Sequence, residues 1–177
     1  MPILFKSHSG KIKKISKNTF RRIFNVRYAS RPIAPQELRP RSLILITAIT
    51  YIQKIDHSIG YGLFAFKDIA AHEIIGEYTG VLSSNLEECP DQKSNFNPYL
   101  LKYPFDSPFA IDAQKAGNET RFINHSFKNP NCERRYWQEG NILRVVFTVK
   151  KRIPKDAQLL LDYGKNYWSG ENPRDLA

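Results

Sequence analysis

Short apolar runs, rich in β-branched and aromatic residues, follow one another from position 43 onward, and turn-forming residues separate them at fairly regular intervals. These runs predict strands near residues 43–55, 62–66, 74–82, 109–112, 142–149 and 159–162. Residues 84–103 are expected to be helix and loop, and residues 118–123 a short helix. Many short strands with few helices indicate a mostly β fold with short helices.

The first 41 residues have a different pattern, in which basic side chains dominate. They contain 11 lysines and arginines but a single acid, Glu37, so the net charge of +10 belongs to this part of the chain. Residues 11–24 predict a short basic helix, and the proline-punctuated residues 31–40 resemble a linker. We therefore divide the chain into a basic arm with its linker (1–41), a folded domain (42–168) and a C-terminal tail (169–177).

Three interpretations of the basic arm remain open from the sequence. It is a solvated, disordered tail, or it binds nucleic acid or another polyanion by counterion release, or it is a targeting segment. A secretory signal is not expected, because no apolar core of sufficient length follows the charges.

Chain length and cysteine content restrict the class of protein to which the chain can belong. With 177 residues the chain suits one domain, and its apolar runs stop well short of the ~18 residues of a membrane span. Cys89 and Cys132 are too few for a disulfide framework or a four-thiolate zinc site. They are interpreted as reduced thiols in a cytosolic or nuclear compartment.

Two segments place polar side chains where an apolar run is expected: Arg121-Phe122-Ile123-Asn124-His125-Ser126 and Leu161-Asp162-Tyr163-Gly164. A buried Asn, His or Asp must be hydrogen-bonded or functional, because an unpaired polar group costs about 1–3 kcal/mol inside a protein. If both segments line one cleft, an amide, an imidazole and a phenol meet there. Taken locally, a satisfied core imidazole is the favoured interpretation of His125, and the spacing of the histidines supports no metal site.

Two further motifs are ambiguous when taken alone. Gly60-Tyr61-Gly62 allows close approach of the backbone to a ligand or simply forms a tight turn. Tyr78, at the end of the run 74–77, is a packed strand aromatic or a phenol that points into a cleft. The chain has neither a phosphate-binding loop nor the nucleophile elbow of serine hydrolases.

Together, these motifs resemble the SET-domain family of protein-lysine methyltransferases over about residues 48–168. The resemblance rests on co-linear segments at 59–65, 76–80, 111–113, 117–126, 130–131 and 160–164. It implies a β-clip of small twisted sheets, in which the Asn124 and Tyr163 segments pass through one another as a C-terminal pseudoknot. Residues 42–168 would then be the catalytic domain.

The resemblance also implies a cofactor and roles for residues. S-adenosylmethionine would be held by Gly60, Tyr61, Gly62, Asn124 and His125, with Trp168 beside Tyr167 covering its adenine. Arg121, Asp112 and Asp162 would support the site. The target lysine would enter through a channel walled by Tyr78, Leu161 and Tyr163, with Tyr163 as the central catalytic phenol and Tyr78 assisting it. A lysine has a pKa of about 10.4 in water, and a dry aromatic channel would favour its neutral, nucleophilic form.

Departures from the family pattern refine these expectations. Phe127 follows Ser126 where many members have a zinc-binding cysteine, so no metal is expected. Leu161 lacks a hydroxyl and leaves room, which favours di- or trimethylation. Without a cysteine cluster before residue 48, the chain resembles the compact SET proteins of viruses and bacteria.

The expected substrate is a basic protein, such as a histone or histone-like protein, in the cell's own nucleus, a host nucleus or the bacterial cytoplasm. A catalytically weak SET-fold module that binds nucleic acid or chromatin through residues 1–41 is the alternative. No membrane partner is expected, and the oligomeric state stays open.

Overall fold

The computed structural model describes residues 2–38, 40, 48–84, 97–104, 107–164 and 167. Its strands are β1 (Ile3–Lys6), β2 (Ile12–Ile15), β3 (Arg27–Tyr28), β4 (Thr50–Lys54), β5 (Tyr61–Ala65), β6 (Ile74–Glu77), β7 (Val81–Ser83), β8 (Leu100–Lys102), β9 (Ala110–Asp112), β10 (Ala116–Gly117), β11 (Asn124–His125), β12 (Cys132–Glu139), β13 (Ile142–Val149) and β14 (Leu160–Leu161). Its helices are α1 (Lys17–Phe24) and the 3-10 helices Gln36–Leu38 and Glu119–Phe122. This is the mostly β architecture with short helices that the sequence predicts.

The N-terminal residues belong to a sheet of the order β2-β1-β4-β5, in which β1 runs parallel to β4. Ile3 and Ile15 are buried in the core, so the apolar positions of this segment anchor it. Of the basic helix predicted at residues 11–24, only 17–24 are helical, as α1, whereas residues 12–15 form β2 and pair with β1. The Ser16 side chain accepts a hydrogen bond from the backbone of Thr19 at the start of α1. A solvated, disordered tail therefore does not describe these residues; the division of the chain at residue 41 stays a prediction.

A five-stranded sheet of the order β11-β14-β12-β13-β6 contains the C-terminal pseudoknot. Strands β11 and β12 are consecutive in the chain, yet β14 lies between them and pairs in parallel with both. The Asn131 side chain holds it there, donating to the Gln158 carbonyl at 2.8 Å and accepting from the Leu160 amide at 2.8 Å. A threaded arrangement of this kind is a rare exception among folds.

The predicted strands agree with the structure at β4, β5, β9, β13 and β14. The single strand predicted at 74–82 is a correction, because the structure divides it into β6 and β7, which belong to different sheets. Residues 43–47 of the first predicted strand lie outside the described residues. Strand β8 was not predicted, because it lies in the segment 84–103 that the sequence indicated to be helix and loop, and the prediction is wrong there. The eight-residue β12 was not predicted either, since its sequence CERRYWQE is polar and its side chains are largely exposed.

A buried ion pair joins β6 to β13. The Arg144 guanidinium donates to both carboxylate oxygens of Glu77, at 2.8 and 2.6 Å, and also to Glu139 at 2.6 Å. The side chains of Arg144 and Glu77 are only 2% and 1% exposed. Glu77 immediately precedes Tyr78, so this pair fixes the end of β6 from which Tyr78 projects.

We expect Arg144→Met to lower the free energy of unfolding by about 3–5 kcal/mol, because it leaves the Glu77 carboxylate buried without its partner. Arg152→Met is the matched control. It removes the exposed pair with Asp68 and is expected to cost at most about 1 kcal/mol. Urea denaturation of both variants checks this, and equal losses would contradict the assignment.

Candidate functional site

The two polar segments of the sequence lie side by side. In the parallel pairing of β11 with β14, Asn124 is opposite Leu160 and His125 is opposite Leu161. The His125 side chain is fully buried. The fold therefore brings together the amide, imidazole and phenol that the sequence separates.

The His125 ring links the two segments directly. Its Nδ1 lies 3.0 Å from the backbone nitrogen of Tyr163 and 3.1 Å from the carbonyl oxygen of Leu161. Nδ1 cannot accept from the first and donate to the second in one tautomer. We assign it as the acceptor, because the Tyr163 N–H is a fixed donor and the Leu161 carbonyl already accepts from the Ser126 amide at 3.1 Å. The ring proton then lies on Nε2.

Asn124 connects this junction to the glycine motif. Its Nδ2 donates to the carbonyl oxygen of Tyr61 at 3.1 Å. Gly60 has a φ of +82°, and a Cβ there would meet only open space. Gly62 lies against side chains instead, because a Cβ there would be 2.8 Å from the end of the Ile55 side chain, which would have to shift. Of the two glycines, only Gly60 therefore presents bare backbone to open space.

Tyr78 and Tyr163 belong to one cluster of tyrosines with Tyr99 and Tyr167. The Tyr78 hydroxyl donates to the Tyr99 carbonyl at 2.7 Å, and the Tyr163 hydroxyl donates to the Ile123 carbonyl at 2.6 Å. The rings of Tyr163 and Tyr167 meet edge to face with centroids 4.6 Å apart. Burial raises the pKa of both Tyr78 and Tyr163 well above the usual phenol value, so both stay protonated at neutral pH.

Arg121 and Asp112 position the neighbouring loop. Arg121 Nε donates to the Ala113 carbonyl at 2.9 Å, and its guanidinium carbon lies 3.7 Å from the centre of the Tyr99 ring. Burial lowers the pKa of the Arg121 guanidinium. The Asp112 carboxylate accepts from Asn97 at 3.0 Å and therefore holds the start of the segment that contains Tyr99.

The remaining predicted residues have different surroundings. Asp162 is exposed, and its carboxylate accepts from the Gly164 amide at 2.8 Å, so it shapes a turn and is not the buried group that the sequence suggested. Leu161 is buried in the core. Trp168 lies outside the described residues.

A cavity of about 480 Å³ adjoins these groups. Its walls include Tyr61, Tyr99, Arg121 and Phe122, together with residues at the end of α1. The volume lies within the range usual for small-molecule pockets. Aromatic faces beside a buried guanidinium can hold a planar ring that bears an anionic group.

The family model described as "SET domain" matches residues 60–164, which is more than half of the chain. The chain belongs to the SET-domain family. The roles of individual residues within this SET domain stay predictions.

Relatives of this SET domain include histone-lysine N-methyltransferase ASHH1 of Arabidopsis thaliana, which is 34% identical over 66% of this chain. Histone-lysine N-methyltransferase mes-2 of Caenorhabditis elegans is 35% identical over 64% of the chain. The human histone-lysine N-methyltransferase SETD2 is 34% identical over 59%. The chain spans only 24%, 14% and 4% of these relatives' own lengths.

Solved structures agree with this relationship. ctPRC2 in an autoinhibited conformation bound to S-adenosylmethionine superposes with a TM-score of 0.58 at 31% identity, over 66% of this chain and 15% of that chain. An active polycomb repressive complex 2 in the stimulated state gives 0.56 at 29% identity, with the same coverage of both chains.

Sequence reasoning missed some residues that line this SET domain's cavity. Tyr99 lies in the segment predicted as helix and loop, where only the Pro98-Tyr99-Leu100 run hinted at an ordered aromatic. Phe24 lies in the predicted arm, although its spacing of four from Phe20 is typical of a buried helix face. Among the described residues, no group of three or more histidine, cysteine or acidic side chains is placed to hold a metal ion, and no helix is long and apolar enough to cross a membrane.

We expect His125→Ala to lower the free energy of unfolding by about 1–3 kcal/mol, because it leaves the partly buried Tyr163 N–H without the His125 acceptor. His125→Asn retains an acceptor near the position of Nδ1 and is expected to recover part of this loss. His57→Ala, at an exposed turn, is the control and should have little effect. Equal losses for the two His125 variants in urea denaturation would exclude the Nδ1 contact as the cause.

Proposed function

We propose that this protein transfers methyl groups from S-adenosylmethionine to the ε-amine of a lysine in a basic protein, a histone or histone-like protein. The observation that carries the proposal is the junction itself, where Asn124 and His125 of β11 lie against the segment that holds Tyr163. The named relatives are histone-lysine N-methyltransferases, which supports the same activity here. A nuclear or chromatin location follows from this substrate.

The residues of the site fit the proposed cofactor. Gly60 leaves open space beside its backbone, and Tyr61 and Phe122 offer aromatic faces for an adenine. Arg121 is 7% exposed and lines the cavity with its guanidinium over the Tyr99 ring, so we assign it as the cation that faces the cofactor's carboxylate. Asn124, through its hydrogen bond to the Tyr61 carbonyl, would hold the Tyr61 backbone in place beside the cofactor.

Tyr78 and Tyr163 are suited to receive the amine. When bound, S-adenosylmethionine supplies an electrophilic methyl group on a positively charged sulfur. Both phenols donate their own protons to backbone carbonyls, which leaves their oxygen lone pairs free to accept from a lysine nitrogen. Their buried surroundings also disfavour the ammonium form of that lysine and thereby help its deprotonation. We assign Tyr163 as the central catalytic phenol and Tyr78 as the residue that orients the amine.

Leu161 supports a proposal on the number of methyl groups. It is buried, two residues before Tyr163, and has no hydroxyl with which to hold a water molecule beside the amine. Without that water, space remains beside the amine, and the addition of a second or third methyl group needs this space. We therefore propose di- or trimethylation, which mass spectrometry of the modified lysine determines.

We expect Tyr163→Phe to reduce methyl transfer by about 10²-fold or more, because the ring stays but the hydroxyl is lost. Binding of S-adenosylmethionine, measured by calorimetry, should be largely unchanged. The assay is transfer of a radiolabelled methyl group to core histones, followed by mass spectrometry of histone and ribosomal-protein panels. Tyr136→Phe, which removes an exposed hydroxyl on β12, is the control. Wild-type activity in Tyr163→Phe would remove Tyr163 from the mechanism.

A second function, binding of nucleic acid, is favoured by the charge of the N-terminal fold. Residues 2–31 contain nine lysines and arginines and no acid. All of them except Lys6 are exposed on β2, α1, β3 and the adjoining segments, so the folded N-terminal segment has a basic surface, which we call the basic face. Such a face binds the phosphate backbone by releasing counterions.

We expect the double variant Arg21→Gln/Arg22→Gln to weaken binding to duplex DNA and to flatten the dependence of log K on log[salt] by about 0.9 for each phosphate that the face no longer neutralises. Lys150→Gln/Lys151→Gln makes the same change of charge at an exposed turn elsewhere and is the control. Fluorescence anisotropy at several salt concentrations measures both. Identical slopes for the two double variants would exclude the basic face as the binding surface.

A further inference from the structure

The cavity beside Tyr61 is built from two parts of the chain. Tyr61, Tyr99, Arg121 and Phe122 lie within the SET-domain match, whereas Ile23, Phe24, Asn25 and Val26 at the end of α1 lie well before it. Gln114 and Lys115 complete the lining. The N-terminal segment therefore closes a pocket that residues 60–164 would leave open on one side.

Phe24 is the main side chain of this added wall, and ring contacts fix its position. Its centroid lies 5.0 Å from that of Tyr61 at an interplanar angle of 87°, and 4.8 Å from that of Phe122. The ring centroids of Phe20 and Phe5 lie 4.7 Å and 6.0 Å from that of Phe24. Phe24 is only partly buried, so a portion of its ring faces the cavity.

The segment that follows α1 is bonded to the site by its main chain. Strand β3 pairs in parallel with β10, so that Arg27 is opposite Ala116 and Tyr28 is opposite Gly117. The Tyr28 hydroxyl also donates to Glu119 at 2.8 Å, at the start of the 3-10 helix that contains Arg121. Helix α1 is thus docked through the same element that positions the guanidinium in the cavity.

We infer that α1 completes the cofactor site and that Phe24 provides an aromatic face for the adenine ring of S-adenosylmethionine. The inference rests on the proposed methyltransferase function. The chemistry of the walls selects this occupant, because aromatic faces from Phe24, Tyr61 and Phe122 suit a purine. Arg121 and Lys115 in the same lining suit the carboxylate of the amino-acid portion.

The test measures S-adenosylmethionine affinity by calorimetry on the full-length protein. Loss of a stacking face typically weakens binding of a base by roughly 5- to 100-fold, so Phe24→Ala is expected to raise Kd by about that factor. Phe24→Leu keeps most of the volume without the aromatic face and should raise Kd similarly, while Phe24→Tyr should stay near the wild type. Thermal denaturation of each variant shows that it is folded.

Phe64→Ala is the matched control, because Phe64 is also a partly buried aromatic but packs on Tyr51, with centroids 5.7 Å apart, and does not line the cavity. Unchanged or tighter cofactor binding by folded Phe24→Leu would overturn the inference. Unchanged binding would show that the Phe24 ring does not contact the cofactor, and tighter binding would show that the ring obstructs the pocket. Such a result would leave the methyltransferase proposal standing. Failure of the wild-type protein to bind S-adenosylmethionine would overturn both.

Discussion

The site depends on the insertion of β14 between β11 and β12. Without it, His125 would lose the Tyr163 amide, and the Asn131 side chain would lose its two backbone partners, Gln158 and Leu160. Tyr163 would also lose the Ile123 carbonyl that fixes its hydroxyl. His125 is fully buried and bonds to Tyr163, directly after the inserted segment, whereas the partly buried Asn124 bonds to Tyr61 instead. The contacts of His125 and Asn131 are those that stabilise the inserted segment.

The buried ion pair of Arg144 with Glu77 positions the segment that contains Tyr78. It is a costly arrangement, since two charges leave water, and an apolar pair of the same volume would often be as stable. Its directional hydrogen bonds, however, hold the end of β6 in one position relative to β13. Tyr78 is the residue after Glu77, so the ion pair also fixes the position of the Tyr78 phenol.

The N-terminal segment changes what the fold offers to a ligand. The family match begins at residue 60, yet β1 extends the sheet of β4, and α1 packs its aromatic side chains on Tyr61 and Phe122. The same helix presents Arg21 and Arg22 to solvent. One short element therefore combines a wall of the cavity with part of a basic surface, which places the two proposed binding functions next to each other.

The sequence by itself determined the family, the mostly β class and the strands that have an apolar pattern, such as β5 and β13. It missed β12, because a polar strand with exposed side chains leaves no apolar pattern to detect. Only the tertiary structure decided which polar groups meet, since the hydrogen bond from Tyr163 to His125 joins residues 38 positions apart and no local pattern specifies it. It likewise decided that Asp162 is exposed and that Phe24 faces the cavity, because burial depends on what packs from elsewhere in the chain.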